Sequence, residues 1–120
     1  MAKKNKPVLI YTSSYGNYKR WPKTHRPICI SRWPPTWFRG ELNMLLAPSK
    51  ELLWEMKNGK ISVYDYTIRF NQQLAALDPK LIMNDIQNGL LLCYETKKDF
   101  CHRHLVADWL NMNGILTEEV

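Results

Sequence analysis

The sequence predicts a small α/β domain, a three-layer sandwich around a mostly parallel, Rossmann-like sheet. Three observations carry this expectation. The apolar runs VLIYT, ICIS and LLLCY are continuous rather than alternating, as in strands buried on both faces of a parallel sheet. Stretches of helical period fill the chain between the second and third runs. The length, 120 residues, is that of one domain and can bury roughly two-thirds of its unfolded surface.

The elements follow in order. Residues 1–7 read as a basic tail, and PVLIYT as a first strand broken by SSYGN. YKRWPKTHR has no clean period and reads as a loop. PICIS is a second strand, and RWPPTWFRG stays irregular because Pro34 and Pro35 lack donors and fix φ. Residues 41–47 are expected as a turn of helix stopped by Pro48. Ser49 caps a helix through about Asn58, with Gly59 as its stop. Ser62 and Asp65 form a capping box for a helix over 63–77, whose Tyr66, Phe70, Leu74 and Leu77 recur at helical spacing. A third helix runs from Pro79 to about Asn88, ended by Gly89. LLLCY is then a strand, Asp99 caps the last helix and Gly114 closes it, with Leu105, Trp109 and Met112 as its core stripe. A further strand within 59–64 stays open. The domain spans 8–116, and 117–120 read as a C-terminal tail.

Charge is uneven. Residues 1–40 carry nine Lys or Arg and no acid, whereas 41–120 carry eight bases against eleven acids. A +9 front on a −3 body points to an anionic partner, a phosphorylated small molecule, nucleotide or nucleic acid, or else to a solvated basic face. No apolar run approaches the ~20 residues of a membrane span, and no signal-peptide pattern opens the chain, so the expected location is cytoplasmic. Three cysteines, an odd count in that setting, predict free thiols. Cys29 and Cys93 sit inside apolar strands and read as small buried side chains.

Ligands of open parallel sheets bind beyond the carboxyl ends of the strands. That rule gathers Ser13, Ser14, Gly16 and Asn17 after the first strand, Arg32 after the second, and Glu95, Cys101, His102 and Arg103 after the third. A helix N-terminus carrying Arg103 suits a phosphate or carboxylate. Cys101 there is a candidate nucleophile, Glu95 a base or ribose contact, and His102 an acid/base. His102 and His104 point to different helix faces, so no metal site is expected. Separately, Lys19, Arg20, Trp21, Lys23, Arg26, Trp37 and Arg39 interleave cations with aromatics, a pattern that holds single-stranded nucleic acid. The competing reading has the tryptophans covering the sheet edge.

The run of YTSSYGN, ISRWPPTWFRG, LLAPSKELLWEMKNG, YDYTIRFNQQLAALDP and LLLCYETKKDFCHRHLVADWL resembles the domain of unknown function 488 family over about residues 8–112. Its most specific piece is LLCYE followed by FCHRHLVADWL. The resemblance implies an α/β fold with its site at the strand ends. The family's shared polar positions match Ser13, Gly16, Asn17, Arg32, Glu95, Cys101, His102 and Arg103. RWPP stands where many members have a strand ending Asp-Val-Arg, so only the arginine carries over there. Small free-standing members occur in bacteria and in phages. The expected function is the binding of a nucleotide-like or other phosphorylated anion, with hydrolase or transferase chemistry. The alternative is a non-catalytic nucleic-acid- or protein-binding module, such as a phage accessory protein, using 18–39. No cofactor or oligomeric state follows from the sequence.

Overall fold

A computed structural model of the chain describes residues 9–95 and 100–120. The expected tail over 1–7 and the cap at Asp99 lie outside them. Five strands form one sheet in the order β3-β2-β4-β1-β5, every pairing parallel. In chain order they are β1 (Leu9–Ser14), β2 (Arg26–Cys29), β3 (Glu41–Leu42), β4 (Gly89–Cys93) and β5 (Leu116–Glu119). The helices are α1 (Lys50–Lys57), α2 (Val63–Ala75), α3 (Pro79–Ile86) and α4 (His102–Met112), with 3₁₀ turns at Tyr15–Arg20 and Met44–Leu46. The chain is therefore a small α/β domain.

The continuous apolar run of β4 takes the central position, and all five of its residues are buried. Side chains alternate across the sheet, so Ile10, Ile28 and Leu91 face one core and Cys29, Leu90 and Leu92 the other. The first core receives every helix: Leu52 from α1, Tyr66, Phe70 and Leu74 from α2, Ile82 and Ile86 from α3, Val106 and Leu110 from α4. The second face has no helix against it among the described residues. Tyr15, Phe38, Trp21 and Met44 cover it instead. The sandwich thus has a third layer made of 3₁₀ turns and aromatic loop rather than α-helix.

Local chemistry explains the helix starts. Ser49 accepts from the Leu52 amide at 3.1 Å. The capping box forms in both directions, Asp65 N to Ser62 Oγ at 3.0 Å and Ser62 N to Asp65 Oδ2 at 3.4 Å. Asp78 caps α3 through the Lys80 amide, with Pro79 in the first turn where its missing N–H costs nothing.

Several boundaries differ from expectation. Residues 41–47 give a two-residue edge strand and a 3₁₀ turn, because the Asn43 amide bonds to the Cys29 carbonyl at 2.9 Å and prolongs the sheet. Residues 59–61 form a turn leading into α2, with no strand. Helix α3 stops at Ile86, Asn88 takes the positive φ of 56°, and Gly89 opens β4. A Cβ at Gly89 would lie 2.5 Å from the Ile86 carbonyl oxygen and 2.8 Å from Ile28 Cδ1, so the residue is glycine for close approach. In α4 the buried stripe is His102, Arg103, Val106 and Leu110, while Met112 is 84% exposed. Residues 117–120 are no tail. Gly114, at φ +81°, turns the chain back, and Leu116–Glu119 pairs with Leu9–Thr12 of β1.

Replacing Gly89 by Ala should cost about 1–3 kcal/mol by overpacking, read as a lower urea midpoint at unchanged slope. Gly16→Ala, with nothing within 4 Å of its would-be Cβ, should stay within about 0.5 kcal/mol of wild type. Equal stability of the two variants would remove the close-approach account.

Candidate functional site

Strand β2 hands the chain outward to β3, whereas β4 hands it through α4 to β5 at the opposite sheet edge. Where connections from neighbouring strands diverge, a crevice opens beyond their carboxyl ends. A cleft of about 510 Å³ lies there. Ser31, Arg32 and Trp33 enter it from the end of β2, Cys93, Tyr94 and Glu95 from β4, and Phe100, Cys101 and His102 from the start of α4. Met56 and Lys57 of α1 and Tyr66 of α2 line it as well.

Its centre is sulfur. The sulfurs of Cys93 and Cys101, 8 residues apart in sequence, meet there, with Cα atoms 7.6 Å apart, wider than a disulfide spans, and Cys29 is the third, buried cysteine. Cys93 ends a strand and Cys101 is the N-cap of the helix that follows, so the strand-to-helix handover superposes them. The sulfur of Cys101 takes the place of a capping oxygen and accepts from the Arg103 amide at 3.4 Å. Both sulfurs therefore sit at the positive end of α4.

Arg103 is wholly buried. Its Nε and Nη2 donate to the two oxygens of Glu119 at 3.1 and 2.8 Å. Its Nη1 donates to Cys93 Sγ at 3.0 Å and to the Glu95 carbonyl at 2.8 Å, and lies 3.9 Å from Cys101 Sγ. The Thr12 hydroxyl donates to the same Glu119. The guanidinium does not line the cleft, so its expected role as the anion clamp is corrected: its charge is held by Glu119 and directed at sulfur.

His102 is 7% exposed, and Nε2 faces the Ile30 carbonyl at 2.6 Å. A carbonyl only accepts, so Nε2 carries the proton and Nδ1 the lone pair, 3.8 Å from Cys101 Sγ. Burial pushes its pKa down to about 4 against the Ile30 bond, and the charges of Arg103 and His104 push the same way. A neutral imidazole with its one proton committed is an acceptor toward Cys101. Of the expected acid/base role, this geometry leaves the base half and not the acid half. Glu95 is exposed, with Oε1 3.8 Å from Cys93 Sγ. Burial, and then the Glu95 carboxylate, raise the Tyr66 phenol, which stays protonated.

Arg32 donates through Nε and Nη2 to the Pro48 carbonyl at 3.2 and 2.8 Å. Its Nη1 has no partner among the described residues, so a cation held in one pose faces the cleft beside Lys57. The loop after β1 does not reach it. Ser13 and Asn17 donate to the Val120 carbonyl at 2.9 and 3.3 Å, Ser14 ends the strand, and Gly16 is exposed. Tyr15 turns this loop onto the other sheet face, where it packs on Phe38 at 5.6 Å. The expected convergence of Ser13, Ser14, Gly16 and Asn17 with the other strand ends is corrected.

The basic-aromatic segment divides. Trp21 donates to the Ser14 carbonyl at 3.0 Å and packs on the second core. Arg26 lies at the start of β2, the far edge from the cleft, bonded to Glu41 and to the carbonyls of Asp85 and Gln87. Arg39 donates to the Thr36 and Phe38 carbonyls. Lys19, Arg20 and Lys23 are exposed, and Trp37 is packed among Tyr15, Tyr18 and Trp21 yet 53% exposed.

The residues that sequence reasoning missed are Cys93 as half of the sulfur pair, Glu119, Lys57 and Tyr66. Cys93 was signalled by its place at the last position of a strand, facing a second cysteine at the next helix start. Glu119 had no local signal. Cys93, Cys101 and His102 also place three donor atoms within 4.8 Å of one another, a soft-metal donor set.

The family described as "Active DUF488-N3 subclade" matches residues 10–114. The chain belongs to the DUF488 family. No curated protein and no solved structure matched it.

Two measurements check the site's electrostatics. Arg103→Ala should lower stability by about 3–5 kcal/mol, the cost of leaving a partly buried carboxylate unpaired, and Arg103→Lys should not restore it because the fork is lost. For His102, the unfolded chain binds a proton near its ordinary pKa of 6.5 and the folded protein only near about 4. Stability is therefore complete above 6.5 and falls as pH drops from 6.5 toward 4. Urea titrations across that window should show the slope, reduced in His102→Gln; an unchanged slope would sink the assignment.

Proposed function

We propose that this member of the DUF488 family binds a nucleotide-like or other phosphorylated anion in the strand-end cleft and acts on it as a hydrolase or transferase with Cys93 as nucleophile. The observation that carries this reading is the Arg103 Nη1 donor 3.0 Å from Cys93 Sγ at the N-terminus of α4. A cation and a helix dipole aimed at one sulfur stabilise the thiolate as it forms. Arg32 and Lys57 supply the positive charge that a substrate anion meets at the cleft wall. The nucleophile is thus Cys93 rather than Cys101, which caps the helix.

The chemistry belongs to the dithiol form. Glu95 Oε1, 3.8 Å from the sulfur, accepts the thiol proton. The thiolate attacks the substrate's electrophilic centre, the bond to the leaving group breaks, the leaving group takes the proton from Glu95, and an S-linked intermediate forms. Water, or an acceptor hydroxyl in a transferase, then gives its proton to Glu95 and releases the thiol.

A second reading rests on Tyr18 and Trp37, 56% and 53% exposed, beside Lys19, Arg20 and Lys23. Such a surface would stack and hold single-stranded nucleic acid. It predicts oligonucleotide affinity that falls steeply with salt and survives loss of Cys93 and Glu95.

The test is a thermal-shift panel of nucleotides, sugar phosphates and oligonucleotides on reduced protein. A ligand at a hundred times its Kd should add about 2.7 kcal/mol of stability, and Arg32→Ala should abolish the shift. Glu95→Gln should keep the shift and lose turnover. Shifts produced only by oligonucleotides at low salt would overturn the cleft reading in favour of the basic surface.

A further inference from the structure

The chain has five tryptophans, and three have an evident structural use. Trp21 packs on the second core, Trp37 rests on Tyr15 and Phe38, and Trp109 packs against the first core. Trp33 and Trp54 differ. They are 58% and 57% exposed, and neither has an aromatic partner among the described residues. They line one groove of about 400 Å³ with Lys50, Leu53, Lys57 and Asn58. Trp33, Leu53 and Lys57 also line the strand-end cleft, so the two hollows are continuous. Both indoles stand on fixed backbone. The Trp33 carbonyl accepts from Ser31 Oγ at 3.3 Å and from the Tyr94 hydroxyl at 2.8 Å, and Pro34 and Pro35 follow it with their φ set by the ring. Trp54 lies two residues after Leu52, the buried position of α1, and so on the opposite face of that helix. Its carbonyl accepts from Asn58 Nδ2 at 2.8 Å. That bond spends the amide nitrogen and leaves Asn58 Oδ1 as an acceptor at the rim.

We propose that this groove is a nucleobase subsite of the cleft, so that the phosphorylated anion of the preceding reading, on which this rests, is a nucleotide rather than a sugar phosphate. The walls select that occupant. A nucleobase is flat, apolar on its faces and polar along its edge. The indoles of Trp33 and Trp54, with Leu53 between the two hollows, offer the faces a stacking surface. Asn58 Oδ1 offers the edge an acceptor for an exocyclic amino group. Lys57 belongs to both hollows and Arg32 to the cleft alone. The phosphate of a nucleotide therefore lies where Arg32 and Lys57 converge, and its base extends past Trp33 into the groove. A sugar phosphate would fill the cationic end and leave both indoles in water. An aliphatic chain would cover the indoles and leave Lys50, Lys57 and Asn58 without partners.

The experiment titrates the full chain calorimetrically with ribose 5-phosphate and with the four nucleoside 5′-monophosphates, which add a base to the same ribose and phosphate. At least one base should tighten binding by about tenfold or more, the factor that stacking on an aromatic side chain supplies. Trp54→Ala should cut that ratio to about threefold or less and leave the affinity for ribose 5-phosphate within about twofold. Trp54→Phe, which keeps an aromatic face, should recover most of the ratio. Trp54 is more than half exposed, so these variants keep the core, and Trp33→Ala gives the same readout from the other wall. A ratio near one for every base, or a ratio that survives both alanine variants, would overturn the subsite. If ribose 5-phosphate still binds in that case and Arg32→Ala abolishes its binding, the anion cleft stands without the subsite. Binding of none of the five compounds removes the cleft reading and the subsite with it.

Discussion

A charge with no access to water organises this domain. The Arg103 side chain is fully buried, and an isolated guanidinium in such a place would cost several kcal/mol. Everything around it answers that cost. Glu119 meets it with both oxygens, Thr12 holds Glu119, and the Glu95 carbonyl and Cys93 sulfur take the remaining donor. Those partners come from β1, β4, β5 and the second residue after β4. The last strand is therefore bound into the fold by more than its ladder to β1. A polar LTEE segment buries little apolar surface, so the ion pair is what gives the strand a fixed register.

The same charge explains why the site is built around sulfur. Three of the guanidinium's donors are committed to Glu119 and a carbonyl, and the group is held rigidly on the side of the sheet where β4 ends. Its residual positive potential acts on whatever stands at the last position of that strand. A sulfur there accepts from Nη1; a leucine would leave an N–H without an acceptor. The neighbouring imidazole is held by the Ile30 carbonyl and kept neutral by burial, so it can take a proton from sulfur but does not add a competing charge. Electrostatics of the pocket floor and packing of the α4 start are thus one constraint rather than two.

Legibility from sequence followed the range of the interaction. Capping at Ser49 and Ser62, the Tyr66–Phe70–Leu74 stripe, and the three continuous strands depend on neighbours within a few residues, and each was readable. The gathering of Arg32, Glu95, Cys101 and His102 at one sheet edge followed from the strand-end rule. What failed was long-range. Strand β5 looks like a tail because its stability comes from Arg103 and from pairing with β1, more than a hundred residues back. The SSYGN loop looked like part of the site because nothing local announces that Tyr15 turns it onto the opposite sheet face. The helices all fall on one face because the aromatic segment around Trp21, Trp37 and Phe38 already covers the other. In that respect the covering role of the tryptophans, not their spacing among cations, decides their placement.

Charge balance at the cleft gives the last connection. On the proposed reading, an anionic substrate would meet the exposed Glu95 and the nucleophilic Cys93 sulfur there. Two unit charges about 6 Å apart at an effective dielectric near 20 repel by about 3 kcal/mol, enough to exclude an anion if nothing offset it. Arg103 cannot be the offset, because its charge is matched by Glu119 and its free donor is turned to sulfur. Among the described residues, Arg32 and Lys57 are the cations on the cleft wall, and Arg32 is held in place by Pro48. Pro34 and Pro35 after Trp33 and the Pro48 carbonyl that holds Arg32 would on that reading serve electrostatics as much as chain geometry, keeping one positive charge where a substrate phosphate meets the sulfur nucleophile.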